Sequence, residues 1–220
     1  MRELAILPEV AGALFVFLLM AAVTEDGKNV LETDIQDYVV RAQRGDREAL
    51  AILYQLHVRA IHRYIAARVS VKEDCEDITA EVFVDMVKAL PAYRPTGAPF
   101  AAWLYRIASA RVADYYRKNG NTVHDGQIDH LQDPGSNPEE ALQNDEAIAQ
   151  VRRALNQLSE EQRVVLIMRF VDRKSHADVA SALGKSTAAV KTLQHRALVA
   201  LSELLGSPQK ARHYLRGTRE

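Results

Sequence analysis

Pro99–Lys118 reads PFAAWLYRIASARVADYYRK. Wound at about 100° per residue, it places Phe100, Leu104, Ile107, Ala108, Tyr115 and the stem of Arg111 on one stripe. Trp103, Arg106, Ala110, Asp114 and Arg117 fall outside that stripe. The spacing predicts a helix that buries one face and shows the other. Arg106, Arg111, Arg117 and Lys118 against Asp114 give the stretch a charge of +3. Aromatics stand among these cations at Trp103, Tyr105, Tyr115 and Tyr116. Cations hold phosphates and rings stack on unpaired bases. A surface helix with a solvated basic face has the same pattern, so this stretch alone leaves both readings open.

Upstream lies Pro91–Pro99, PAYRPTGAP, a stiff proline-rich loop that feeds the helix. Before it the signals are helical and regular. Asp34 is positioned to cap a helix reaching Gln43, broken by Gly45, and Asp46 to cap a longer one. That longer one carries Leu50, Leu53, Tyr54, Val58, Ile61 and Ile65 at helical spacing. Ser70-Val-Lys-Glu73 reads as a capping box, opening a helix to about Leu90 with Ile78, Val82, Phe83, Met86 and Leu90 as its apolar stripe. Glu73, Asp77 and Glu81 recur at i, i+4 and i+8 and form an acidic ridge. The helix dipole accounts for acids in a first turn. It does not reach Asp77 or Glu81.

Downstream, Asn119-Gly120 ends the central helix, and residues 119–137 lack periodicity and read as a flexible linker. Pro138 restarts helix at a first helical position, with Leu142, Ile148, Val151, Leu155 and Leu158 apolar. Ser159-Glu-Glu-Gln162 is a second capping box, opening a helix through Phe170. A short helix then ends at Gly184, and Ser186 caps a last one running from Thr187 to about Leu205. Short helix, glycine turn, capped helix is the helix-turn-helix pattern. On the last helix Val190, Leu193, Ala197, Leu201 and Leu204 share an arc, while Ala188, Lys191, Thr192, His195 and Arg196 face away. That outward face is cationic, acid-free and begins at a helix N-terminus, which favours phosphate.

The 220 residues are 48% hydrophobic and 26% charged, enough for one or two cores. The net charge of −1 hides strong segregation: −4 over 71–81, −7 over 119–150, +3 over 185–202 and +3 over 207–220. Such segregation points to separate surfaces for separate partners. A single cysteine, Cys75, excludes an internal disulfide and a cysteine zinc site. His57 and His62 are five apart and share no face, and no Glu-x-x-His accompanies the acidic ridge. His124, Asp125, Asp129, His130 and Asp133 fall in the linker and read as solvated. Phosphate-binding glycine motifs and a nucleophile–base pairing are absent from the sequence. The expected fold is all-α: an N-terminal helical bundle and a C-terminal helix-turn-helix joined by a flexible acidic linker, with no catalytic site, metal or cofactor.

Val10–Val23 is an apolar run of 14, short of the roughly 20 residues of a membrane span. Three readings stay open: translation from Met20, a membrane- or partner-binding helix, and a signal-peptide core.

From about residue 31 to 205 the chain resembles the extracytoplasmic-function (ECF) sigma factors, small bacterial sigma subunits of RNA polymerase. Asp74-Cys-Glu-Asp-Ile-Thr-Ala-Glu-Val-Phe83 carries the first part of the likeness, and Pro99-Phe-Ala-Ala-Trp-Leu-Tyr-Arg-Ile-Ala108 with Asp114-Tyr-Tyr-Arg-Lys118 the second. Leu158–Leu166, Asp178–Gly184 and Ala189–Ala197 carry the third. The resemblance implies a non-enzymatic initiation factor with five parts: an extension 1–30, region 2 over 31–118, a linker 119–137, region 4 over 138–205 and a basic tail 206–220. It implies polymerase binding by Asp74, Asp77, Glu81 and Phe83. Minus-ten DNA falls to Tyr93, Arg94, Trp103, Arg106, Ala110, Arg117 and Lys118. Minus-thirty-five DNA falls to Ser186, Thr187, Lys191, Thr192, His195 and Arg196. The implied partners are core RNA polymerase, promoter DNA and an anti-sigma factor, in the cytoplasm, with membrane contact through 10–23 the lesser expectation. Ser109 and Ala110 depart from the family's usual Arg and Asn, and His176 stands where it has an aromatic, a packing position. A helix-turn-helix regulator with an N-terminal sensor domain, or a membrane-tethered adaptor, are the alternative readings.

Overall fold

The computed structural model describes residues 32–94, 98–119 and 138–206, with side chains from 35 and, in the last segment, from 146. No strand occurs among them. The segment 10–23, the loop tip 95–97, the linker 120–137 and the tail from 207 lie outside the described residues, as does the Leu142 side chain.

Helix α1 (Glu32–Gln43) begins two residues before the expected Asp34 cap. Gly45 turns the chain at φ +91°, a conformation that costs glycine little. Asp46 then caps α2 (Arg47–Ala66), accepting from the Glu48 and Ala49 amides at 2.9 and 3.1 Å. The cap position falls one residue past the expected Ser70, at Val71. Helix α3 (Lys72–Ala89) starts behind Val71, whose side chain has no polar atom to offer, and acids Glu73 and Asp74 fill its first turn. Proline 91 converts its end into a short 3-10 turn, Leu90–Ala92. The Gln43 amide reaches across from α1 and donates to the Leu90 and Tyr93 carbonyls at 2.9 and 2.8 Å.

Helix α4 (Phe100–Asn119) is covered on two sides. The expected stripe holds at Phe100, Leu104 and Ala108, but Tyr105, Ser109 and Val112 are buried as well. The reason is a second packing partner. Helix α4 lies on α2 and α3, and the C-terminal half closes over it from the other side.

That half starts with α5 (Pro138–Gln157), as the proline predicted. Ser159 and Gln162 form the expected capping box of α6 (Glu160–Leu166), which widens into a π turn at Ile167–Val171. Arg163, itself buried, donates to the carbonyls of Leu155, Asn156 and Leu158 and stitches the α5–α6 corner. Helix α7 (His176–Leu183) carries a capping box of its own, Ser175 with Asp178. Gly184 stops it in the left-handed conformation (φ 63°), and Ser186 caps α8 (Thr187–Leu204). The expected arc on α8 is buried at Val190, Ala197 and Leu201, while Leu204 is exposed.

One continuous core runs from the bundle (Leu53, Ile61, Phe83, Leu104, Val112) into the C-terminal half (Val164, Ile167, Met168, Val179, Val190). A smaller cluster, Val151, Leu155, Leu158, Ala197 and Leu201, ties α5 to α8. Polar pairs cross the same boundary. The Arg63 guanidinium donates to Asp172 Oδ1 at 2.6 Å, and Tyr105 Oη donates to Oδ2 at 3.5 Å. Arg68 Nε donates to Asn156 Oδ1 at 2.8 Å, and the Tyr116 hydroxyl donates to the Arg68 carbonyl.

Candidate polymerase and nucleic-acid interface

Three exposed surfaces gather the residues singled out in the sequence. The first is the outer face of α3. Asp77 and Glu81 are exposed there, as the ridge predicted. Val84, Val87 and Tyr54 are exposed too, at 49%, 45% and 46%, and make this face apolar as well as acidic. Sequence reasoning passed over Val84 and Val87 and put Tyr54 on the buried stripe of its helix, which its exposure corrects. The available signal was that Val84 and Val87 stand off the stripe that α3 buries.

Two residues expected on that face are engaged inward. Phe83 is a core residue, 6% exposed, with its ring 4.8 Å from Tyr54. It supports the face from behind. Asp74 accepts a hydrogen bond from Tyr115 Oη at 2.8 Å, tying α3 to α4. Glu81 has a second tie of this kind. Arg111 Nη1 lies 3.1 Å from Glu81 Oε2, and Arg111 Nε donates to Asp85 Oδ2 at 2.5 Å. The bond to Asp85 and the nearby carboxylates hold the Arg111 guanidinium charged.

The second surface follows α4. Arg106, Ala110, Arg117 and Lys118 are exposed. Trp103 is half-buried, its ring 4.6 Å from Tyr93 and 5.4 Å from Phe100. Beside Trp103 an open groove of about 560 Å³ runs between α3 and α4, bordered by Ile107, Ala110, Lys88 and Arg111. Asp114 pairs with Arg117 at 3.0 Å and takes part of that charge. Tyr93 is 7% exposed, packed edge-on to Phe100 at 5.6 Å, and its burial raises the phenol's pKa. An aromatic in a proline loop reads as free in sequence, but here it roofs the Phe100–Trp103 cluster. Arg94 lies beside it, folding its guanidinium onto the Pro91 and Tyr93 carbonyls at 3.1 and 3.0 Å.

The third surface is the outer face of α8. Ser186, Thr187, Lys191, Thr192, His195 and Arg196 are all exposed. Ser186 Oγ accepts from the Ala189 amide at 3.1 Å, so its hydroxyl serves the cap. Thr192 donates to the Ala188 carbonyl at 3.0 Å. Lys191 and Arg196 make no ion pair among the described residues, whereas Lys185 is held by Glu161 at 2.7 Å. His176 is half-buried at the foot of α8. Burial, then the Arg169 charge, lowers its pKa, against a hydrogen bond with Gln194.

Cys75 is buried, and burial pushes its thiol up to about 11, so it offers no thiolate at neutral pH. Among the described residues no cluster of three His, Cys, Asp or Glu could hold a metal, and no helix is long and apolar enough to cross a membrane.

Known proteins share this arrangement in the same order. Residues 53–122 match the family described as Sigma-70 region 2, and residues 148–201 the family described as Sigma-70, region 4. The chain is similar to the ECF RNA polymerase sigma factor BldN of Streptomyces coelicolor, 32% identical over 180 residues that span 81% of this chain and 67% of that protein. It is similar to the ECF RNA polymerase sigma factor SigD of Mycobacterium tuberculosis, 33% identical over 75% of this chain and 81% of that one. ShbA of Streptomyces griseus, another ECF RNA polymerase sigma factor, is 32% identical over 78% and 95% of the two lengths. Among solved structures, CnrH in complex with the cytosolic domain of CnrY has a TM-score of 0.49 at 24% identity, covering 77% of this chain and 95% of that one. Both sigma-70 regions lie on one chain, in order, and full-length relatives align through them; the protein therefore belongs to the extracytoplasmic-function family of RNA polymerase sigma factors, non-enzymatic subunits that direct core polymerase to specific promoters and assist DNA melting.

Proposed function

We propose that the three surfaces divide the work of initiation. The outer face of α3, with Asp77, Glu81, Val84 and Val87, docks on core polymerase. The face of α4 with Trp103, Arg106, Ala110, Arg117 and Lys118, together with Arg94, takes the minus-ten element as melted single strand. The outer face of α8, with Ser186, Thr187, Lys191, Thr192, His195 and Arg196, reads the minus-thirty-five element in the duplex major groove. The observation that carries this reading is the placement of α4's cations. Arg106 and Lys118 stand exposed on a helix whose tryptophan is half-buried beside an open groove, its ring packed against Tyr93 and Phe100. Stacking on a base requires a rigid exposed ring with phosphate-binding cations beside it.

The same reading divides the chain into region 2 over 31–118, a linker over 119–137 and region 4 over 138–205, with extensions at either end. Work with core polymerase places the protein in the cytoplasm. An anti-sigma factor is the expected negative regulator.

The test is run-off transcription with purified core polymerase on a promoter library. Start sites that depend on this protein, aligned to give two conserved elements, support the division of surfaces. Loss of preference at the upstream element alone on changing Lys191 and Arg196, and of melting alone on changing Trp103, completes it. If both losses follow either change, the division is wrong.

A further inference from the structure

We propose that the turn between α1 and α2 is a further phosphate-binding surface, on which Arg44 and Arg47 hold the backbone of the melted strand where it runs on from Arg94, beyond the minus-ten element. The inference rests on the assignment of α4 and Arg94 to that strand.

The first argument is position. Gln43, the last residue of α1, donates its side-chain amide to the Leu90 and Tyr93 carbonyls at 2.9 and 2.8 Å. The same Tyr93 carbonyl accepts from Arg94 Nη1 at 3.0 Å. One oxygen therefore joins the end of α1 to the Arg94 guanidinium. Arg44 is the next residue, Gly45 turns the chain, and Arg47 opens α2. Tyr93 in turn packs its ring 4.6 Å from Trp103. An unbroken run of contacts thus leads from the Trp103 ring to the α1–α2 turn.

The turn is also built in advance. The Arg44 and Gly45 amides donate to the Arg41 and Ala42 carbonyls at 3.0 Å, and the Asp46 amide donates to the Arg41 carbonyl at 3.1 Å. At the tip no atom lies within 4 Å of where a side chain on Gly45 would begin, so a strand has room to approach the backbone. A surface already ordered loses little affinity to entropy when it binds.

The second argument is charge. Arg41 is occupied: its Nε donates to Asp46 Oδ2 at 2.8 Å, and its guanidinium lies 3.9 Å from Asp37. Asp46 Oδ1 accepts the Glu48 and Ala49 amides. Glu48 stands in the first turn of α2, where the helix dipole favours an acid. Arg44, Arg47 and Arg94 are exposed and make no ion pair among the described residues. The guanidinium fork matches a phosphate. No exposed side chain from 44 to 48 is apolar, whereas the outer face of α3 shows Val84 and Val87. Protein contacts centre on apolar residues. The turn therefore suits a polyanion and not the polymerase.

The test measures strand binding by the full chain assembled with core polymerase, at several salt concentrations. The probes are two fluorescent single strands, the minus-ten element alone and the element extended at both ends. Each phosphate contact to a single strand adds about 0.7 to the slope of log affinity against log salt. The double variant Arg44→Ala, Arg47→Ala is expected to lose about 1.4 from the slope on the extended strand and nothing on the short one. Between 50 and 200 mM salt, the ratio of wild-type to variant affinity on the extended strand should shrink about sevenfold. Arg44→Lys with Arg47→Lys should keep the slope. So should Arg59→Ala, an exposed cation about 18 Å further along α2. An unchanged slope for the alanine variant on the extended strand overturns the proposal. Weaker core binding by that variant with its strand slope unchanged also overturns it, and makes the turn a polymerase contact. If the wild-type assembly does not prefer the element to a shuffled strand, the assignment of α4 fails, and the proposal falls with it.

Discussion

Replacing Lys191 and Arg196 with Ala should lower the salt dependence of duplex binding by a calculable amount. Each cation that neutralises a phosphate contributes about 0.9 to the slope of log affinity against log salt. Both side chains are exposed and neither is neutralised by an ion pair among the described residues, so each counts in full. The double variant should lose about 1.8 from the slope. Between 50 and 200 mM salt, the ratio of wild-type to variant affinity should shrink by about twelvefold. Lys185 is the internal control. Its ammonium already sits 2.7 Å from Glu161, and Lys185→Ala should change the slope by well under 0.9, the value of one phosphate contact. The assay is fluorescence anisotropy of the full chain on a duplex carrying the upstream element, at four salt concentrations, with helicity checked by circular dichroism. An unchanged slope in the double variant, or an equal loss from Lys185→Ala, would refute the reading of α8 as the duplex-binding face.

Trp103→Ala should abolish open-complex formation, seen by permanganate footprinting, while core polymerase binding stays within twofold of wild type; an equal loss of both would mean that Trp103 only braces Tyr93 and Phe100. Asp77→Lys should weaken core binding at least tenfold, roughly 1.4 kcal/mol, in a pull-down titration, with the fold intact, because Asp77 is exposed. Glu81→Lys should do the same and also cost about 0.5–1 kcal/mol in urea unfolding, by breaking a partly exposed pair with Arg111. His57 is buried, its Nδ1–H donating to the Leu53 carbonyl at 2.8 Å, and burial lowers its pKa below the ordinary value of 6.5. The unfolded chain therefore takes up that proton first. The contribution is intact above about pH 6.5 and is lost as the pH falls below it. Urea midpoints should drop between pH 7 and 5, and His57→Gln should flatten that drop.

Most elements were legible because their signals are local. Asp46, Ser159, Ser186 and Gly184 each act within one turn of their own helix, and the structure puts each where its spacing predicted. The failures came where a distant segment decides. Tyr105 of α4 was left off the stripe, yet it is buried with its hydroxyl on Asp172, a residue across the linker. Tyr93 in its proline loop and Phe83 in its acidic motif looked presentable. Both are held inside by aromatic neighbours, Tyr93 by Phe100 and Trp103, Phe83 by Tyr54. Val84 and Val87 erred the other way: apolar residues inside a helix were passed over, although their angular position put them outside the buried stripe. Ion pairs were invisible for the same reason. Nothing in the spacing says that Arg111 spends its charge on Glu81 and Asp85.

The hydrogen bonds from Gln43 to the Leu90 and Tyr93 carbonyls bear on how small the promoter-reading unit can be made. Both carbonyls sit where α3 hands over to the proline-rich loop, and the amide that fastens them comes from a helix ahead of the segment matched to region 2, which begins at residue 53. A fragment trimmed to that match would keep every residue assigned to the minus-ten strand and discard the clasp on their supporting backbone. Such a minimal reader would still stick to single strands while discriminating poorly among them, and selectivity measured on it would understate that of the whole protein.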